Sequence, residues 1–172
     1  MKRLFFALCP NDETRDKVVK LSRAIKKDHL RKVRADNIHI TLVFLGDVDA
    51  NQEQTLRARA GSIIEPSMDI LFDRLALWRR PGILSLTCSQ PPQPLLDLVA
   101  ELTRITVGCD IDVDTRPYKA HVTLARKARF KPEIEFQPLS WPADRFALME
   151  SVSTDLGVQY RIVQSWPLTV EN

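Results

Sequence analysis

Two short stretches of the chain carry the same chemistry: His39-Ile40-Thr41-Leu42 and, 82 residues later, His121-Val122-Thr123-Leu124. The chain has only three histidines, so two of them in matching tetrapeptides point to a repeated device rather than to composition. On a β-strand alternate side chains share a face, which sets each His with its Thr on one side and Ile40, Leu42 and Phe44, or Val122 and Leu124, on the other. Phe44 is therefore assigned to the core. Imidazole titrates near neutrality, so one copy can accept a proton while the other donates one. Such a pair suits displacement at phosphorus, where attacking and leaving oxygens stand roughly in line and base and acid must face each other across the phosphate. Thr41 and Thr123 would then donate hydrogen bonds to the non-bridging oxygens, with nearby cations strengthening the field.

Paired histidines also suggest a metal, but zinc takes three or four protein ligands and no further His or Cys stands at motif spacing. No metal or other cofactor is expected. A Ser-His-Asp hydrolase is disfavoured too, because the sequence has no Gly-x-Ser-x-Gly elbow and the duplication of the histidine would go unexplained. His29 follows Lys26-Lys27-Asp28 near a helix end and is read as a surface residue.

The net charge is only +3, yet the cations are unevenly placed. Nine Lys or Arg against two Asp lie between Arg15 and Arg34, and this block is read as the solvated face of a helix. From Arg116 to Lys131 there are six Lys or Arg and no acid, and this block surrounds the second histidine motif. Clusters of this kind attract polyanions.

Elements that would carry the motifs can be placed from pattern. Leu4–Leu8 reads as a strand, Pro10-Asn11-Asp12 as a stop and N-cap, and Glu13 to about Asp28 as a helix with Val18, Leu21 and Ile25 on its apolar stripe. A strand His39–Leu45 ends at Gly46-Asp47. Asp49 with Gln52 three residues on resembles a capping box for a helix running to about Ile64. Met68–Trp78 and Ile83–Cys88 form a hairpin across Arg79-Arg80-Pro81-Gly82. The proline-rich segment Pro91–Pro94 marks the midpoint and opens a helix along Leu95, Leu98, Val99, Leu102 and Ile105. Strands are expected at Ala120–Arg126, Ile134–Phe136, Arg145–Val152 and Tyr160–Leu168. At 172 residues, 44% hydrophobic and 27% charged, the chain can bury one core, so one domain spanning 1–172 is expected, with halves of about 1–90 and 91–172. No apolar run is long enough for a membrane helix or a secretory signal. Cys9, Cys88 and Cys109 are odd in number and widely spaced, which argues against a disulfide framework and fits a reducing cytoplasm.

Taken together, Arg3-Leu-Phe-Phe-Ala7, Asn37-Ile-His-Ile-Thr-Leu-Val-Phe-Leu-Gly46 and Arg116-Pro-Tyr-Lys-Ala-His-Val-Thr-Leu-Ala-Arg126 resemble the two-histidine phosphoesterase superfamily, in its branch of RNA 2′,3′-cyclic phosphodiesterases, also called 2′-5′ RNA ligases. The resemblance spans nearly the whole chain. It implies a two-lobed α+β fold with pseudo-twofold symmetry, antiparallel sheets lining a central cleft and helices outside. It also implies opening of a terminal ribose 2′,3′-cyclic phosphate to a 2′-phosphate without metal, and joining of a 5′-hydroxyl RNA through a 2′-5′ bond as an alternative outcome. The partners would be RNA ends or nucleotides bearing that cyclic phosphate, and the protein would act as a monomer. His39 would be the proton donor and His121 the acceptor, although the residues alone allow either polarity. Arg126 closes the second motif and would assist Thr41 and Thr123 in holding the phosphate, which needs a strand end or bulge to bring it to their face. Lys119 and Ala120 stand where the branch often has a basic or polar residue and a proline. Lys119 and Tyr118 are candidates for substrate contact, Tyr118 as a platform for a base. The competing readings are a nucleotide- or RNA-binding module with little turnover, and a phosphodiesterase for another cyclic nucleotide such as ADP-ribose 1″,2″-cyclic phosphate.

Overall fold

The computed structural model describes residues 1–26 and 29–170. In these residues three α-helices accompany ten strands, named in chain order: β1 Lys2–Leu8, α1 Asp12–Ala24, β2 Arg31–Lys32, β3 Ile40–Val48, α2 Ala50–Ala60, β4 Met68–Phe72, β5 Arg74–Trp78, β6 Ile83–Thr87, α3 Gln93–Val107, β7 His121–Arg126, β8 Leu139–Ala143, β9 Arg145–Thr154 and β10 Gly157–Pro167. A 3-10 turn, Ala35–Asn37, precedes β3.

Seven strands form one sheet in the order β10-β9-β1-β3-β7-β6-β5, and β2 adds to β7. All these pairings are antiparallel, and β3 meets β7 through the single pair Ile40 and Val122. On either side of that seam lie two strand groups, and each draws on both halves of the chain. Helix α3 packs on β3, and α1 on β7 and β8. The core between them includes Leu4, Phe6, Leu8, Ile40, Leu84, Leu86, Leu95, Leu98, Leu102 and Val122, each without measurable exposure. Burying a side chain of this kind contributes roughly 1.5–3 kcal/mol.

Local chemistry explains the helices. Asn11 caps α1 by accepting a bond from the Thr14 backbone N–H at 2.8 Å. Asp49 and Gln52 close both bonds of a capping box on α2. In α3 the expected apolar stripe is the buried face. Two helices stop early: α1 at Ala24, with 27 and 28 of its expected span outside the described residues, and α2 at Ala60, leaving Ile64 exposed.

The single strand expected over Met68–Trp78 is two. It breaks at Asp73, whose carboxylate accepts bonds from Ser89, so that β4 joins β8 in a separate two-stranded sheet while β5 joins β6. Residues 134–136 form no strand. Their expected place is taken by β8, which tolerates Pro142 because a two-stranded sheet leaves each strand one free edge. The β5–β6 turn needs its glycine. Gly82 has φ +80°, and a Cβ there would stand 3.1 Å from the Ala128 carbonyl oxygen.

Candidate active site

Bulges decide which side chains share the histidine face. Along β3, Phe5 pairs with Phe44 and Ala7 with Thr41, leaving Leu42 and Leu45 as extra residues, both buried. Paired residues of antiparallel strands point the same way, so Phe44 joins the face of Thr41 instead of the core. It is 47% exposed, with the Arg3 guanidinium 5.1 Å from its ring centre. The assignment of Phe44 to the core is thereby corrected. In β7, Leu84 pairs with Ala125 and Ser85 with Thr123, so Leu124 is the extra residue. That one step returns Arg126, paired with Ile83, to the face of His121 and Thr123. The strand register thus supplies the bulge that Arg126 requires.

The two imidazoles are held alike. His39 Nδ1 lies 2.7 Å from the Asn37 carbonyl oxygen, and His121 Nδ1 lies 2.9 Å from that of Lys119. A carbonyl only accepts, so each Nδ1 carries the proton and each neutral ring keeps a bare Nε2. The Thr41 hydroxyl donates to that atom of His39 at 3.1 Å. Burial lowers the His39 pKa to about 4; its bond to Asn37 opposes this, while a proton on His121, when present, and the charge of Arg126 push it further down. Both groups act on His39 from β7, across the β3–β7 seam. His121 is lowered as well, by burial, against its bond to the Lys119 carbonyl. Both rings are therefore poised neutral and ready to take a proton at Nε2.

Tyr118 has a different position from the base platform expected of it. Its ring packs against the core and its hydroxyl donates to the Thr41 carbonyl oxygen at 3.1 Å, tying the segment before β7 to β3. Burial raises its pKa. Lys119 is exposed, and its backbone carbonyl is what holds His121. His29 is also exposed, beyond the end of α1.

Four further residues surround the histidines, and the sequence assigns none of them a role at the site. Trp78 sets its ring edge to face with His121 at 4.8 Å. Tyr160 does the same with His39 at 4.9 Å, and Phe5 lies 5.1 Å from both His39 and Tyr160. Asn37 bridges to the backbone of β10. The aromatic residues come from β5, β10 and β1, and no local pattern announces which strands flank the motifs. Asn37 has a signal, since it opens the first motif stretch.

Two bare imidazole nitrogens, two hydroxyls and a guanidinium on one face can grip an anionic phosphorus centre and move protons to and from it. Among the described residues no group of three or more His, Cys, Asp and Glu side chains is arranged to hold a metal ion. No helix of the described residues is long and apolar enough to cross a membrane. The family model described as LigT-like phosphoesterase matches residues 8–85. The RNA 2′,3′-cyclic phosphodiesterase of Escherichia coli strain K12 is 30% identical over 171 residues, covering 98% of this chain and 97% of that protein. Crystal structures of E. coli LigT, in apo form and complexed with 3′-AMP, each superpose with a TM-score of 0.88 at 30% identity and 98% coverage of both chains. A match of that extent settles the relationship: the chain belongs to the LigT-like family of two-histidine phosphoesterases.

Proposed function

We propose that the protein is an RNA 2′,3′-cyclic phosphodiesterase that opens terminal ribose 2′,3′-cyclic phosphates to 2′-phosphates by metal-independent acid and base catalysis. The observation that carries this reading is the repeated imidazole geometry, each Nδ1 committed to a carbonyl two residues back and each Nε2 left for chemistry. The E. coli relative complexed with 3′-AMP, a nucleotide with its phosphate on the ribose, supports it. His121 takes a proton from water as the water oxygen attacks phosphorus. The bond from phosphorus to the 3′-oxygen breaks, and His39 protonates that oxygen, leaving a 3′-hydroxyl and a 2′-phosphate. Thr41, Thr123 and Arg126 stabilise the charge on the non-bridging oxygens. The neutral resting state fits this cycle, because a bound phosphodiester anion offsets the positive charge of Arg126 and lets His39 gain its proton.

On this reading the two strand groups are the lobes of one domain, related by a pseudo-twofold axis, with the histidines in the cleft between them. A 5′-hydroxyl RNA end in place of water gives a 2′-5′ linkage. The partner is an RNA end, the protein works as a monomer, and its three free cysteines suit a reducing cytoplasm. The test is incubation with an oligonucleotide ending in a 2′,3′-cyclic phosphate, with and without chelator. A 2′-phosphate product formed equally in both is expected. Absence of ring opening, a 3′-phosphate product, or loss in chelator with rescue by zinc would overturn the proposal.

A further inference from the structure

The His39 side of the site depends on a residue outside the His-x-Thr pair. The Asn37 backbone oxygen accepts the His39 Nδ1 proton at 2.7 Å. Its side chain reaches more than a hundred positions along the sequence: Nδ2 donates to the Val158 carbonyl at 2.7 Å, and Oδ1 accepts from the Tyr160 backbone N–H at 3.2 Å. Strand β10 is the edge of the sheet, so its outward backbone groups have no neighbouring strand, and the amide of Asn37 meets one donor and one acceptor of that edge. At the second of those bonds the strand delivers the Tyr160 ring edge to face against His39, with Phe5 completing the enclosure. His121 has a carbonyl and an aromatic neighbour too, but they come from Lys119, whose side chain is exposed, and from Trp78 on β5.

We propose that Asn37 is the positioning residue of the His39 half of the site: its carbonyl sets the imidazole tautomer, and its side-chain amide docks the strand whose Tyr160 packs against the same ring. Loss of the amide leaves the carbonyl in place but frees the strand edge, so His39 becomes more hydrated and less sharply oriented. The charged and titratable groups facing His39 are His121 and Arg126 from β7 and the Tyr160 phenol from β10; the Asn37 side chain bonds none of their titrating atoms and reaches Tyr160 only through its backbone N–H. The inference concerns how the ring is held and rests on the phosphodiesterase reading only where turnover is measured.

The experiment combines kinetics with nitrogen NMR of the histidine rings in Asn37→Ala, Tyr160→Ala, Tyr160→Phe and the Asn37→Ala/Tyr160→Ala double variant. Asn37→Ala is expected to lower kcat about 10-fold to 10²-fold with KM changed less than about threefold, the pattern of a misoriented acid. The His39 pKa should rise by about one unit or more towards its ordinary value as desolvation is relieved, and its Nδ1–H tautomer should lose population. His121 should keep its pKa and tautomer. Tyr160→Phe keeps the ring and should keep the His39 pKa and tautomer, whereas Tyr160→Ala should reproduce the His39 shift, and the double variant should be no worse than either single variant within about twofold. An unchanged His39 ring in Asn37→Ala, equal shifts in both histidines, or additive losses in the double variant would overturn the proposal. Should Asn37→Ala not fold, the Tyr160 pair decides: an unshifted His39 in Tyr160→Ala overturns it. A parent protein that leaves cyclic-phosphate RNA intact would instead defeat the functional reading, while the ring measurements would still stand.

Discussion

Each motif imidazole donates from Nδ1 to its own backbone, so the chemistry of the site reduces to the occupancy of two Nε2 atoms. His39→Ala and His121→Ala should each lower kcat/KM by about 10²-fold to 10⁴-fold with the fold intact, as removal of an acid or base does. Thermal melts beside the kinetics check this, and near-parental turnover in either variant would sink the mechanism. The Thr41 hydroxyl donates to the bare Nε2 of His39; when that nitrogen is protonated the bond reverses, Nε2–H donating to Oγ1, which on the proposed mechanism frees the hydroxyl proton for a phosphate oxygen. The depressed His39 pKa has a consequence for stability whose sign follows from linkage. Its folded value of about 4 lies below the ordinary 6.5, so the neutral form is the one the fold favours. The associated stability is fully present above pH 6.5 and is lost as pH falls through the window down to about 4; it amounts to a few kcal/mol at most. Denaturant titrations at pH 7.5 and 4.5 should show the loss, and His39→Gln should reduce it.

At the scale of elements, extra residues in strands decide the site. Period-two alternation runs correctly from His39 to Thr41 and from His121 to Thr123, which makes the shared face of the two His-Thr pairs legible in the sequence. It fails after Leu42 and Leu124, because a bulge reverses parity and carries no reliable local signature. Phe44 lies off its expected face for that reason, and Arg126 can be placed from sequence only by assuming such a step. The helices are legible because their caps are local: Asn11 and Asp49 each bond to a backbone N–H within three residues. Trp78, Tyr160 and the split at Asp73 are not, since they depend on which distant strands pair. The capping box offers an element-scale test far from the histidines. Asp49→Ala should lower stability by about 1 kcal/mol in denaturant titration while leaving kcat unchanged. A fall in kcat would show that α2 bears on the site.

Over the whole molecule, the two basic blocks of the sequence do not stay separate. The first divides: Arg15 and Lys17 on α1 pair with Asp12 and Glu13, while Arg31 and Lys32 cross to β7, where Arg31 stands opposite Arg126. Arg116 leaves the second block by pairing with Asp114. The β5–β6 turn, with Arg79 and Arg80, is held beside Lys127 and Arg129 through the bond from the Ala128 N–H to the Gly82 carbonyl at 3.0 Å. Among the described residues, Arg31, Arg79, Arg80, Lys127, Arg129 and Lys131 form no ion pair, and Phe130 between them is 70% exposed. Three segments far apart in sequence thus add unpaired cations to the Arg126 end of β7, a rim that on the proposed function would take the chain of an RNA with its end at the histidines. Each phosphate held there releases counterions, so the affinity of an oligonucleotide should fall steeply with salt, whereas that of a mononucleotide should fall much less. Changing Lys127, Arg129 and Lys131 to Gln should lower the oligonucleotide salt slope by up to about 2, at roughly 0.7 per single-strand phosphate contact. Mononucleotide turnover should be spared, because Arg126 is retained. Arg15→Gln with Lys17→Gln on α1 removes two cations of the same sequence blocks and should leave the slope alone. Equal slopes for both substrates, or a slope that responds to the α1 pair as much as to the rim, would reduce these cations to a solvated surface.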